Sequence, residues 1–104
     1  MDLGAIRTLT SVVTNTQADY AHWVTSYTLS YSHDSVTWYD VTDGGGQIVM
    51  FEGNYATNVA KENAFEAPLY ARYVTLYPKT WYKLIMLRWG LNGCPYGKKY
   101  LCAQ

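Results

Sequence analysis

Polar and apolar residues alternate along residues 24–32 (VTSYTLSYS). Tyr27, Leu29 and Tyr31 fall on one side, and Ser26, Thr28, Ser30 and Ser32 on the other. A period of two marks a half-buried β-strand, because successive side chains of an extended backbone point to opposite faces. His33, Asp34 and Ser35 then read as a turn, and residues 36–41 (VTWYDV) as the strand returning from it. Asp43-Gly44-Gly45-Gly46 is a flexible connection, and residues 47–51 form a further short strand stopped by Gly53-Asn54. Residues 58–65 fit either one helical turn or a short edge strand. Residues 71–77 and 84–91 read as strands, the latter with Ile85, Leu87, Trp89 and Leu91 on one face. Pro78 fits only at the end of its strand, since it has no N–H to give to a ladder. Residues 6–14 are a first, less clearly patterned strand. No stretch longer than about ten residues carries a helical period. About six short strands separated by polar turns predict an all-β antiparallel sandwich or barrel.

Composition narrows the function more than the fold. A length of 104 residues predicts one domain. Hydrophobic residues at 49% and charged residues at 15% give a globular profile rather than a disordered one. The formal net charge is zero, which excludes the basic field of a nucleic-acid binder; Lys98-Lys99 is too short a cluster to supply one. Tyrosine is abundant, with eleven among seventeen aromatics, and suits both half-buried sheet faces and binding surfaces. No apolar run reaches membrane-spanning length. The start, MDLGAIRT, has neither the basic region nor the apolar stretch of a signal peptide.

Catalytic chemistry finds no constellation. His22 and His33 are the two histidines, and neither stands at metal-ligand spacing with a cysteine or a third histidine. Asp19 and His22 share a loop but have no nucleophile beside them. The glycines of DGGG do not sit between a strand and a helix, so they do not form a phosphate cradle. The chain is therefore not expected to be an enzyme. Residues 14–23 (TNTQADYAHW) are the longest polar loop carrying aromatics. In it Gln17, Asp19 and His22 can hydrogen-bond and Tyr20 can stack on a ligand, as loops on rigid β-scaffolds often do. Residues 78–83 (PKTWYK) form a second such loop, where Trp81 is expected to pack under the sheet end while Lys79 and Lys83 stay exposed.

WVTSYTLSYSHDSVTW, FEGN and APLYARYVTLYPKTWYKLIMLRWGLNGC, in that order and spacing, resemble the discoidin domain, also called the coagulation factor V/VIII type C domain. The blocks span Asp2 to Cys94, and the start resembles the family strand written V-D-L-G. The resemblance implies a jelly-roll β-sandwich or barrel. It also implies an incomplete one, whose first strands are missing because the chain opens at the D-L-G strand. Residues 1–94 would be this partial domain and residues 95–104 a C-terminal tail.

The resemblance further implies a non-enzymatic module for extracellular recognition and cell adhesion, on or outside the cell as part of a larger secreted or membrane protein. Family ligands include anionic phospholipid surfaces, cell-surface glycans, collagen and receptor or matrix proteins. They are held by loops at one end of the barrel, where residues 14–22 belong. That loop carries no Lys or Arg, so a glycan or protein ligand is expected ahead of a phospholipid membrane. No cofactor is implied; calcium, bound by several members, takes its ligands mainly from the missing part. Trp23, Trp38, Arg72, Arg88 and Cys94 are implied framework. Gly90 stands where the family commonly has Glu, which leaves Asp34 or Asp40 to supply the carboxylate of one ion pair. The family's T-Q-G in the ligand loop reads T-N-T-Q here. Cys94 sits where the family closes its terminal disulfide, with the usual partner upstream of Met1; otherwise Cys102 takes that place. The extra cysteine motivates an alternative function, a structural or oligomerisation unit linked through its C-terminal cysteine.

Overall fold

A computed structural model describes residues 1–16, 23–56, 60–83 and 88–95 of the chain. They form six strands: β1 (Asp2–Asn15), β2 (Trp23–Ser32), β3 (Tyr39–Asp40), β4 (Phe51–Glu52), β5 (Ala60–Tyr82) and β6 (Arg88–Pro95). All pairings are antiparallel, in one sheet of order β3-β2-β5-β1-β6, with β4 also on β2. The all-β architecture expected from the alternation is what the molecule adopts.

β5 organises the sheet. Its first part, up to Ala71, pairs with β1, and its second part, from Tyr73, pairs with β2. Tyr73 is in register with both Asp2 and Ser32, so the changeover occurs at one residue. Residues 60–65 are thus strand and not a helical turn. Pro78 lies inside β5 and not at its end. It stands opposite Tyr27, beside a register shift that places Ser26 opposite Thr80. A bulge on an edge is where a strand tolerates a residue with no N–H.

β1 is weakly patterned because it is bulged. Against β5 it advances five positions between Asp2 and Arg7 while β5 advances two, and then two between Leu9 and Ser11 while β5 advances five. The two irregularities cancel. Thr10 is also the extra residue against β6, and its hydroxyl donates to the Asn92 carbonyl at 3.2 Å. Because of that bulge Leu9 and Val12, of opposite parity, both enter the core with Val24, Tyr27, Leu29, Val41, Phe51, Ala71 and Val74. On the far face Ser11, Glu62 and Asn92 form a polar cluster across three strands, with Ser11 Oγ to Glu62 Oε2 at 2.6 Å.

The predicted returning strand at residues 36–41 shrinks to Tyr39–Asp40. The Asp34 carboxylate accepts from the backbone N–H groups of Val36 and Thr37, both at 2.9 Å, and Ser35 takes φ 64°. Those amides belong to the turn and cannot join a ladder. Likewise residues 47–51 reduce to one bridge, Thr42 to Ile48, and to β4.

Two glycines mark close backbone approaches. A Cβ on Gly93 would lie 2.1 Å from the Thr8 carbonyl oxygen, and one on Gly53 would lie 2.2 Å from that of Val24. At Gly90 a Cβ would meet nothing within 4 Å. Gly93→Ala is therefore expected to force β1 and β6 apart and to destabilise the chain by about 1–3 kcal/mol or more, lowering the urea midpoint. Gly90→Ala should leave that midpoint unchanged or slightly raised.

Two carboxyls are held below their ordinary value of 3.8. Arg72 and then the Gly4 N–H do this for Asp2, and the Thr37 and Val36 N–H groups do it for Asp34. A depressed folded-state value favours the folded chain above the ordinary value, and the contribution disappears as pH falls through the depressed one. Acid titration of stability should therefore show a loss beginning near pH 3.8. Asp34→Ala should flatten that loss.

Candidate functional site

The strand register gathers three connections at one end of the sheet. Asn15 stands opposite both Ala60 and Arg88, and Trp23 opposite Tyr82. The segments joining β1 to β2, β4 to β5 and β5 to β6 all leave from that end. Gln17, Asp19, Tyr20 and His22, expected to hold the ligand, lie outside the described residues, as do residues 57–59 and 84–87. Their flanks are described. Thr16 donates from its hydroxyl to the Ala56 carbonyl at 3.2 Å, which ties the first connection to the second. Asn54 donates from its backbone N–H to Val24 O at 2.9 Å and from its amide to Thr14 O at 3.1 Å.

Trp81 is 47% exposed and Tyr82 44% exposed. Trp81 thus does not pack under the sheet end as expected. Its register partner is the buried Val24, but it stands at the last turns of the ladder, where too little sheet remains to cover an indole. Tyr82 stacks on Trp23, with centroids 4.7 Å apart and planes 27° apart. Lys83 has φ 66°, which turns the chain out of β5, and its ammonium lies 5.4 Å over the Tyr82 ring. Lys79, exposed as expected, lies 5.9 Å over Tyr77. Tyr55, 69% exposed, flanks the second connection.

Arg88 is also at this end. It is exposed, in register with Asn15, rather than held inside the barrel. Arg72 lies towards the opposite end, beside the changeover at Tyr73. It pairs with Asp2 at 3.0 Å and sits 5.0 Å over the Tyr73 ring. Its carboxylate partner is therefore Asp2, since Asp34 is occupied by its own turn and Asp40 belongs to β3. Trp38 donates its indole N–H to Ser35 O at 3.1 Å and stands 6.5 Å from the Tyr73 ring, also towards that end. Cys94 is buried in register with Thr8 and is disulfide-bonded; Cys102 lies outside the described residues.

Lys83 was legible as a loop cation. Tyr82 and Arg88 were not, because their places opposite Trp23 and Asn15 follow from pairing partners distant in the chain. Their one sequence signal is that each bounds a predicted connection. Among the described residues no group of three or more His, Cys, Asp and Glu could hold a metal ion. No helix among them is long and apolar enough to cross a membrane.

The sequence model of the F5/8 type C domain family matches residues 1–91. Lactadherin of Mus musculus is 40% identical over 96 residues, which cover 90% of this chain and 20% of that protein. Neurexin-4 of Drosophila melanogaster is 32% identical over 92% of this chain and 8% of its own length. The structure of discoidin II from Dictyostelium discoideum superposes with a TM-score of 0.79 at 28% identity, over 93% of this chain and 36% of that one. The chain spans 20–24% of the lactadherins that it matches.

The stack and the exposed indole should separate in mutants. Tyr82→Ala removes the ring on Trp23 and is expected to cost about 0.5–1.5 kcal/mol beyond its lost burial. Trp81→Ala should stay within about 0.5 kcal/mol. Thermal unfolding of both variants measures the difference, with Trp23 fluorescence reporting the lost stack.

Proposed function

The chain belongs to the F5/8 type C domain family, and on that premise we propose that it is a non-enzymatic recognition module acting outside the cell. It docks through the end where the three connections converge. The observation that carries this reading is the pairing of exposed aromatics with cations there: Trp81 and Tyr82 beside Lys83 and Arg88. The disulfide at Cys94 agrees with an oxidising extracellular compartment.

Among the ligand classes implied by the resemblance, an anionic lipid surface fits this pairing best. The first connection alone carries no Lys or Arg, which favoured a glycan or a protein. The fold changes the balance by adding Lys83 and Arg88 from other strands to the same end. Indole and phenol rings settle at the boundary between headgroups and acyl chains. Each Lys or Arg close to an anionic leaflet contributes about 1 kcal/mol, less at high salt.

Sedimentation with vesicles tests the proposal. The chain should pellet with vesicles containing phosphatidylserine and not with phosphatidylcholine alone, and added salt should release it. The double variant Lys83→Ala, Arg88→Ala should weaken the partition about thirtyfold at low salt, and Trp81→Ala should weaken it without changing the salt dependence. A glycan-array signal with no sedimentation would sink the lipid reading and return the site to a sugar ligand.

A further inference from the structure

A second feature lies away from the ligand end, along the first half of β5. There β5 pairs with β1 on one edge, while β2 joins the other edge only from Tyr73 onward. The edge of residues 60–69 that faces away from β1 has no strand partner among the described residues. Residues 64–69 all line a cavity of about 690 Å³. Residues 65–68 have no register partner on β1, so side chains of either parity reach the cavity, which lies beside the edge of β5 turned away from β1.

The opposite wall is residues 47–51, where Ile48 is 55% exposed and Met50 57% exposed. Phe65, Leu69 and Phe51 make the floor apolar. Two ties close the ends of the slot. Asn63 donates from its amide to Glu52 O at 2.7 Å, and the His33 imidazole Nε2 meets Tyr70 O at 2.6 Å. Six extended residues span about 20 Å, the length of an ordinary strand. Asp43 and Glu66 line the slot. Their bonds go to backbone amides, with Glu66 Oε2 accepting from Gly44 at 3.2 Å and Asp43 Oδ1 from Gly45 and Gln47. The ion pair among the described residues, Arg72 with Asp2, lies elsewhere.

We propose that this slot receives an extended polypeptide strand from a partner, apolar towards Phe65, Leu69 and Phe51 and bearing a lysine or arginine that meets Asp43 and Glu66. The main-chain edge selects a strand over a small apolar molecule, because only another backbone can match its N–H and C=O groups. The two carboxylates select a basic strand over an acidic one. Pro68 interrupts the pairing, since it offers a carbonyl and no N–H. The exposed bond between Glu66 and Gly44 gives way, and the carboxylate passes to the incoming cation.

Amide hydrogen exchange on the whole chain tests this with two short synthetic peptides, one alternating valine with lysine and one valine with glutamate. The valine–lysine peptide should slow exchange about tenfold or more at saturation at those amides of residues 64–67 and 69 that turn away from β1. The valine–glutamate peptide should bind several-fold more weakly. The double variant Asp43→Asn, Glu66→Gln should erase that preference while keeping the protection. Ala67→Pro removes an N–H from the segment that has no register partner on β1 and should reduce the protection. Unchanged exchange at residues 64–69, protection confined to residues 75–82, or a preference that survives the double variant would each overturn the proposal. Protection of the slot without peptide, together with a dimer in sedimentation, would replace the partner by a second copy.

Discussion

The fold depends on the hydrogen-bonding of one strand to two neighbours. β5 runs for 23 residues and changes partner at Tyr73, which faces Asp2 on one edge and Ser32 on the other. β1 and β2 therefore need no direct pairing; each is positioned by its own half of β5. The changeover is pinned by local contacts. The Val74 N–H donates to Met1 O at 3.0 Å, and Arg72 clamps Asp2 from the side of the Tyr73 ring. The same division leaves each half of β5 with one edge unpaired among the described residues, and residues 64–69 line a cavity with an apolar floor.

Alignment of the end where the connections converge follows from bulges that cancel. β1 gains three positions on β5 between Asp2 and Arg7 and yields three between Leu9 and Ser11, so no net offset remains at Asn15. Without the second irregularity, Ala60 would not stand opposite Asn15, and the two connections would leave the sheet at different heights. Gly93 makes this possible on the other side. Its missing Cβ lets β6 come against the Thr8 carbonyl and follow β1 through the bulge at Thr10. Backbone approach, more than side-chain packing, thus decides where the residues flanking these connections end up.

The strand class was legible in residues 24–32 because β2 alternates apolar side chains in the core with hydroxyl side chains, although both faces are buried. β5 was not legible as one strand. Its bulge at residues 65–68, two prolines and a change of partner each reset the local pattern, so it read as separate pieces. The strand read at residues 36–41 failed for a different reason. The Asp34 carboxylate outcompetes the ladder for two amides, and a period-two pattern carries no trace of that competition. At the site, the polar composition of residues 14–23 announced a loop, while its cationic neighbours came into view only with the register.

Arg72 and Arg88 look equivalent in the sequence, each inside an apolar strand, and the structure gives them different surroundings. What separates them is the supply of carboxylate. Arg72 has Asp2 within 3.0 Å, and its charge is spent on the framework. Arg88 stands two positions before Gly90 on the same face of β6, about 7 Å along the strand. A glutamate at position 90, as the family resemblance implies, would sit within reach of the guanidinium and neutralise it. Gly90 offers no side chain, and a Cβ built there would meet nothing within 4 Å, so no packing requirement keeps that position a glycine. Gly90 supplies no carboxylate, so the charge of Arg88 stands exposed at the end of the sheet where Lys83, Trp81 and Tyr82 also emerge.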